Sequence, residues 1–124
     1  MSQHILIVDD EKNIAISVDY LLRREGYAVS VAHDGEEGLQ MIRSGRPDLV
    51  LLDVMMPKLN GFQVCEAVRQ DPALMHTRII ILTAKGREAE KQKGLALGAD
   101  AYITKPFSTR ELVSQVKALL EPQT

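Results

Sequence analysis

The sequence predicts an α/β protein whose parallel sheet is covered by helices on both faces. Two observations predict it. Four short runs rich in β-branched residues, 5–8, 49–52, 79–82 and 101–103, show no alternation of apolar and polar side chains. Such strands are buried on both faces, the habit of parallel sheets. Segments with helical spacing lie between these runs, so strand and helix alternate five times once the weaker run 28–32 is counted. Alternation of this kind implies a parallel sheet with right-handed crossovers.

Each element has its own signals. After the first strand, Ile14, Val18, Leu21 and Leu22 share one helical face, and Gly26 stops the helix. Asp34 followed by Glu37 reads as a capping box, opening a helix that ends near Gly45. Phe62, Cys65 and Val68 share a face before the break at Asp71-Pro72. A fourth helix runs through Ala89-Glu90-Lys91 to Leu97 and stops at Gly98. Ser108 and Glu111 form a second capping box, opening a helix that turns Leu112, Val116, Leu119 and Leu120 inward and closes at Pro122. Five strand–helix units in 124 residues suit the flavodoxin-like doubly wound sheet, (βα)5 with strand order 2-1-3-4-5. An eight-stranded barrel needs about 250 residues.

Bulk composition limits the function classes. The 124 residues are 45% hydrophobic and 26% charged, which suits a single domain over residues 1–124 with an ordinary core. A formal charge of -2 supplies no basic field for nucleic acid or an anionic membrane. No apolar run approaches the roughly 20 residues of a membrane span. One cysteine, Cys65, rules out an internal disulfide framework, and the N-terminus lacks a signal-peptide layout. These features predict a cytoplasmic protein.

Ligands of a doubly wound sheet sit outside the carboxyl ends of its strands. Asp9, Asp10 and Glu11 follow the first run, Asp53 the third, Thr83-Ala84 the fourth, and Thr104-Lys105-Pro106 the fifth. Carboxylates, a hydroxyl and an ammonium therefore collect on one edge. Carboxylates held so close repel one another, and a hard divalent cation relieves that repulsion. Mg²⁺ favours oxygen ligands, so two carboxylates and a carbonyl serve it well. Lys105 and Thr83 suit phosphate oxygens, and a carboxylate can itself be the nucleophile in phosphoryl transfer.

These residues, in this order, resemble the receiver domains of two-component response regulators. The matching pieces are the strand ending in Asp9-Asp10, residues 51–57 (Leu-Leu-Asp-Val-Met-Met-Pro) with Asn60-Gly61 behind them, residues 81–84 (Ile-Leu-Thr-Ala), residues 98–102 (Gly-Ala-Asp-Ala-Tyr), and Lys105-Pro106-Phe107. The resemblance covers essentially the whole chain. It implies that Asp53 accepts a phosphoryl group from a histidine kinase or phosphotransfer protein, with no turnover of outside substrates. It implies Mg²⁺ on Asp10, Asp53 and the Met55 carbonyl, with Asp9 acting through water, and Thr83 and Lys105 on the phosphoryl oxygens. It further implies a cis bond at Lys105-Pro106 and an aromatic switch at Tyr102. The output face would be helix 4, strand 5 and helix 5, open to a downstream partner or a second copy. Arg110, Ser114, Lys117 and Glu121 are expected outward there, beside the helix face over 87–93. Met55 and Lys85 flank the site as plausible modulators of phosphoryl lifetime.

Plainer readings stand beside these. Asp9-Asp10 alone would serve as a turn, Thr83 as a helix cap, and Tyr102 as packing. The Met55 and Met56 side chains are read as packing residues, Cys65 as a buried hydrophobe, and His4, His33 and His76 as surface residues. Three rivals remain. A dehalogenase-type hydrolase needs a second Asp two residues past the nucleophile, where Met55 stands. A flavin carrier on this fold would have its phosphate repelled by Asp9-Asp10-Glu11. The third is a receiver-shaped interaction module that is never phosphorylated. The chain can equally be a piece of a DNA-binding regulator or hybrid kinase, although receivers joined to winged-helix domains often carry an acid where this chain has Ala101.

Overall fold

A computed structural model describes residues 3–84 and 86–121; Lys85 and Pro122, and what is expected of them, lie outside the described residues. Five strands, β1 (His4–Val8), β2 (Ala28–Ala32), β3 (Leu49–Asp53), β4 (Arg78–Ala84) and β5 (Ala101–Lys105), alternate with five helices. The helices are α1 (Lys12–Arg24), α2 (Gly35–Gly45), α3 (Gly61–Arg69), α4 (Glu88–Ala96) and α5 (Thr109–Leu120). Every strand pair is parallel and the order is β2-β1-β3-β4-β5, the flavodoxin-like doubly wound arrangement expected.

The sheet divides the core into two layers, as side chains alternating along each strand require. Leu6, Val8, Val50, Leu52, Ile79 and Ile81 pack with α2 and α3. Ile5, Ile7, Leu49, Leu51, Ile80 and Leu82 pack with α1 and α5. Burial of both strand faces explains why the central runs show no period-two pattern. Leu112, Val116 and Leu120 are buried as expected, while Leu119 packs only at the rim. Cys65 is fully buried.

The caps differ in detail from expectation. Asp34 accepts a hydrogen bond from Glu37 N at 2.8 Å, yet the Glu37 carboxylate takes its own from His33 N rather than from the cap residue. Ser108 accepts from Glu111 N at 3.0 Å. The helix with both arms of the box is α3, where Asn60 and Gln63 exchange bonds of 2.9 Å. Three side-chain assignments are corrected. The Met55 side chain is 65% exposed and packs against nothing in the core, whereas Met56 does pack. His4 is half-buried, its ring 2.8 Å from Ser30 Oγ, because it opens β1 beside β2. Lys117 turns away from α4 to meet Glu25 at 2.9 Å, beside the end of α1.

Candidate functional site

Parallel strands place all their carboxyl ends on one edge, and the register sets how far each reaches. Val8 lies opposite Leu52, Asp53 opposite Leu82, Thr83 opposite Thr104, and Ala84 opposite Lys105. Asp9, one residue past β1, is tied to the sheet through Asp9 N donating to the Ala32 carbonyl at 3.1 Å. Asp53 ends β3, and the loop behind it is held by Gly61 N donating to the Val54 carbonyl at 3.0 Å. A Cβ on Gly61 would stand 2.5 Å from the Asp53 carbonyl oxygen, so only glycine lets α3 start this close to the strand end. Gly35 plays the same part at the start of α2, where a Cβ would overlap the Leu59 carbonyl.

The side chains converge. Ligand oxygens of Asp9, Asp10 and Asp53 all lie within 4.8 Å of one another. Asp9 is fully buried, Asp53 is 6% exposed and Asp10 faces solvent. Lys105 Nζ donates to Asp9 Oδ2 at 3.0 Å and to Glu11 Oε1 at 3.1 Å, and stands 3.5 Å from Asp53 Oδ1. Asp9 Oδ1 also accepts from Glu11 N at 2.9 Å, closing a tight turn. The Lys105-Pro106 bond is cis, as the resemblance implies.

Charge crowding marks the electrostatics. Burial, and then the neighbouring Asp9 carboxylate, push the Asp53 carboxyl up to about 6, against the opposing pull of Lys105. Burial works against the Lys105 ammonium, but Asp53, Asp9 and Glu11 outweigh it and raise that group. Hard oxygen donors in this number and proximity fit a divalent cation, whose charge would remove the repulsion that burial intensifies. Thr83 Oγ1 is buried at the same edge and meets no protein partner among the described residues. A buried hydroxyl without a partner is costly, which fits a donor kept for something that visits the site.

Tyr102 stands apart from this group on β5. Its side chain is 38% exposed, with Lys91 Nζ 4.9 Å from the ring centroid and bonded at 2.9 Å to Glu88. Sequence reasoning missed this contact, and it missed the link between Lys58 Nζ and Asp34 Oδ2 at 3.6 Å that ties the loop after Asp53 to α2. No spacing signal joins residues so far apart. On α5, Glu111 and Gln115 line a groove with Leu95, Tyr102 and Thr104. They, rather than Lys117, form the α5 flank of the α4–β5–α5 face.

A buried acid cluster with a lysine at the carboxyl edge of a 2-1-3-4-5 sheet defines a class of protein, and comparison with known proteins names it. The chain belongs to the response regulator receiver domain family, whose model matches residues 5–117. It is 50% identical over 120 residues to the alkaline phosphatase synthesis transcriptional regulatory protein PhoP of Bacillus subtilis (strain 168), covering 97% of this chain and 49% of that protein. The chain thus spans about half the length of that curated relative. A response regulator structure from Chloroflexus aurantiacus J-10-fl superposes with a TM-score of 0.94 at 39% identity, covering 98% of this chain and all of that one. The chemotaxis response regulator CheY4 of Vibrio cholerae gives 0.91 at 34% identity, over 97% of this chain and all of that one. No helix among the described residues is long and apolar enough to cross a membrane.

Proposed function

We propose that this chain is the phosphoacceptor of a two-component system in the cytoplasm, with Asp53 taking a phosphoryl group from the phosphohistidine of a sensor kinase or phosphotransfer protein. One observation carries the reading. Asp53 is a buried carboxylate with a raised pKa, ringed by two further acids and one lysine at a single sheet edge. An Asp53 carboxylate oxygen would form the bond to phosphorus as the bond to the donor's imidazole nitrogen breaks, giving an acyl phosphate. Asp10, Asp53 and the Met55 carbonyl, with Asp9 acting through water, would hold Mg²⁺, which supplies charge neutralisation when bound. Lys105 and Thr83 would take the phosphoryl oxygens, and the unpartnered Thr83 hydroxyl supports that role.

A switch needs a second arrangement that the phosphoryl group favours. In our reading Thr83 draws toward the phosphoryl group and Tyr102 turns inward behind it, reshaping the groove lined by Leu95, Tyr102, Glu111 and Gln115. That face would bind an output protein or domain, or a second copy of the chain. The likeness to a transcriptional regulatory protein, matched over half its length, supports an output carried by a further segment; a formal charge of -2 offers this domain no basic field for nucleic acid.

The test is intact-protein mass spectrometry after incubation with a small phosphodonor. One phosphoryl adduct is expected on the wild type with Mg²⁺, and none with the metal chelated or with Asp53→Asn. No adduct on any sample would leave a receiver-shaped interaction module instead.

A further inference from the structure

We propose that Glu11 is a positioning residue that holds Lys105 back from Asp53 until a phosphoryl group arrives. The proposal rests on the phosphoacceptor reading and concerns the same site. Lys105 carries three N–H donors. In the resting arrangement it donates to Asp9 at 3.0 Å and Glu11 at 3.1 Å, while Asp53 lies farthest at 3.5 Å. The ammonium therefore sits nearer to Asp9 and Glu11 than to the acceptor. The backbone fixes that bias. Glu11 N donates to Asp9 Oδ1, and the Glu11 carbonyl accepts from Ala15 N as α1 begins. Glu11 is thus held next to Asp9, with its carboxylate against Lys105.

A phosphoryl group on Asp53 draws Lys105 toward it; the third N–H is free to serve a phosphoryl oxygen, but the move stretches the contacts the ammonium makes now. Asp9 is fully buried, so its bond to Lys105 is the more costly of the two to lose. The Glu11 side chain is 58% exposed and takes water in place of the lysine at little cost. The Glu11 bond is the one that breaks. Lys105 donates to a phosphoryl oxygen, and water takes its place on Glu11. Glu11 thereby lowers the affinity of the site for the phosphoryl group and favours the resting state.

The test is calorimetric binding of Mg²⁺ alone, and of beryllofluoride as a phosphoryl mimic in saturating Mg²⁺, to wild type, Glu11→Gln and Glu11→Asp. Glu11→Asp keeps the charge and shortens its reach toward Lys105 by one methylene. Both variants are expected to bind beryllofluoride about two- to five-fold more tightly, the range an exposed ion pair allows. Mg²⁺ alone is expected to bind more weakly to Glu11→Gln, which has lost a negative charge, and unchanged to Glu11→Asp. Affinity for beryllofluoride equal to or below wild type in both variants would overturn the proposal. So would tightening in Glu11→Gln alone, which would reduce Glu11 to a distant charge. A wild type that takes no beryllofluoride would instead remove the phosphoacceptor reading, and this proposal with it.

Discussion

Asp53 sits where its own charge is least welcome. Burial and Asp9 raise its carboxyl from 3.8 to about 6, and Lys105 at 3.5 Å only partly compensates. Between those two values the folded protein binds more protons at this position than the unfolded chain. Stability therefore rises as pH falls through that window and is lowest above it. Asp53→Asn removes the penalty while leaving Lys105 its bonds to Asp9 and Glu11. In the absence of metal, the variant should exceed wild type by on the order of 1–3 kcal/mol at pH 7, and the gap should close toward pH 4. Urea unfolding at the two pH values checks this; a gap that stays constant with pH would contradict it. Saturating Mg²⁺ should narrow the gap at pH 7, because a cation relieves the same repulsion. Of these residues, Asp9, Asp53 and Lys105 were legible because each lies within two residues of the end of an apolar run. The Met55 side chain was not, since hydrophobic character alone does not say that a loop carries it outward.

Among the elements, α4 is the least firmly seated. Gly94 is its one buried residue, resting directly on Ile81 of β4. A Cβ there would overlap Ile81 Cδ1, and Ile81 is fully buried with little room to move. Helix propensity alone would make Gly94→Ala stabilising by about 1 kcal/mol. Overpacking should win, with a loss of about 1–3 kcal/mol. Trimming the offending methyl in Gly94→Ala/Ile81→Val should recover much of that loss, as denaturant midpoints would show. A single variant more stable than wild type would mean that α4 floats free of β4. Element boundaries were readable where glycine ends a helix, as at Gly26 and Gly98, both with positive φ. They were less readable at α3, where the Asn60–Gln63 box hides behind a loop of Met, Pro and Lys. Direction around a helix was the harder quantity. Leu112 and Val116 face the core as their spacing requires, but that spacing leaves open which neighbour each flank meets. Lys117 consequently found Glu25 on the α1 side instead of the α4 face.

At the scale of the molecule, the site follows from parallel strands. Continuous apolar runs demanded burial on both faces, and alternation with helices demanded crossovers. The order 2-1-3-4-5 then brought residues 96 positions apart, Asp9 and Lys105, within hydrogen-bond reach. That convergence was legible in outline because it depends on topology and not on fine packing. Contacts between loops and side chains on separate helices, such as Lys58 with Asp34 or Lys91 with Tyr102, follow from local geometry that no periodicity encodes. The central claim is that, of the three clustered carboxylates, Asp53 is the one that forms the bond to phosphorus. It is tested most directly by borohydride trapping after exposure to Mg²⁺ and a small phosphodonor, which reduces an aspartyl phosphate to homoserine, followed by peptide sequencing. Homoserine at position 53, with Asp9 and Asp10 intact, is the predicted result. Trapping at position 9 or 10 in place of 53 would contradict it.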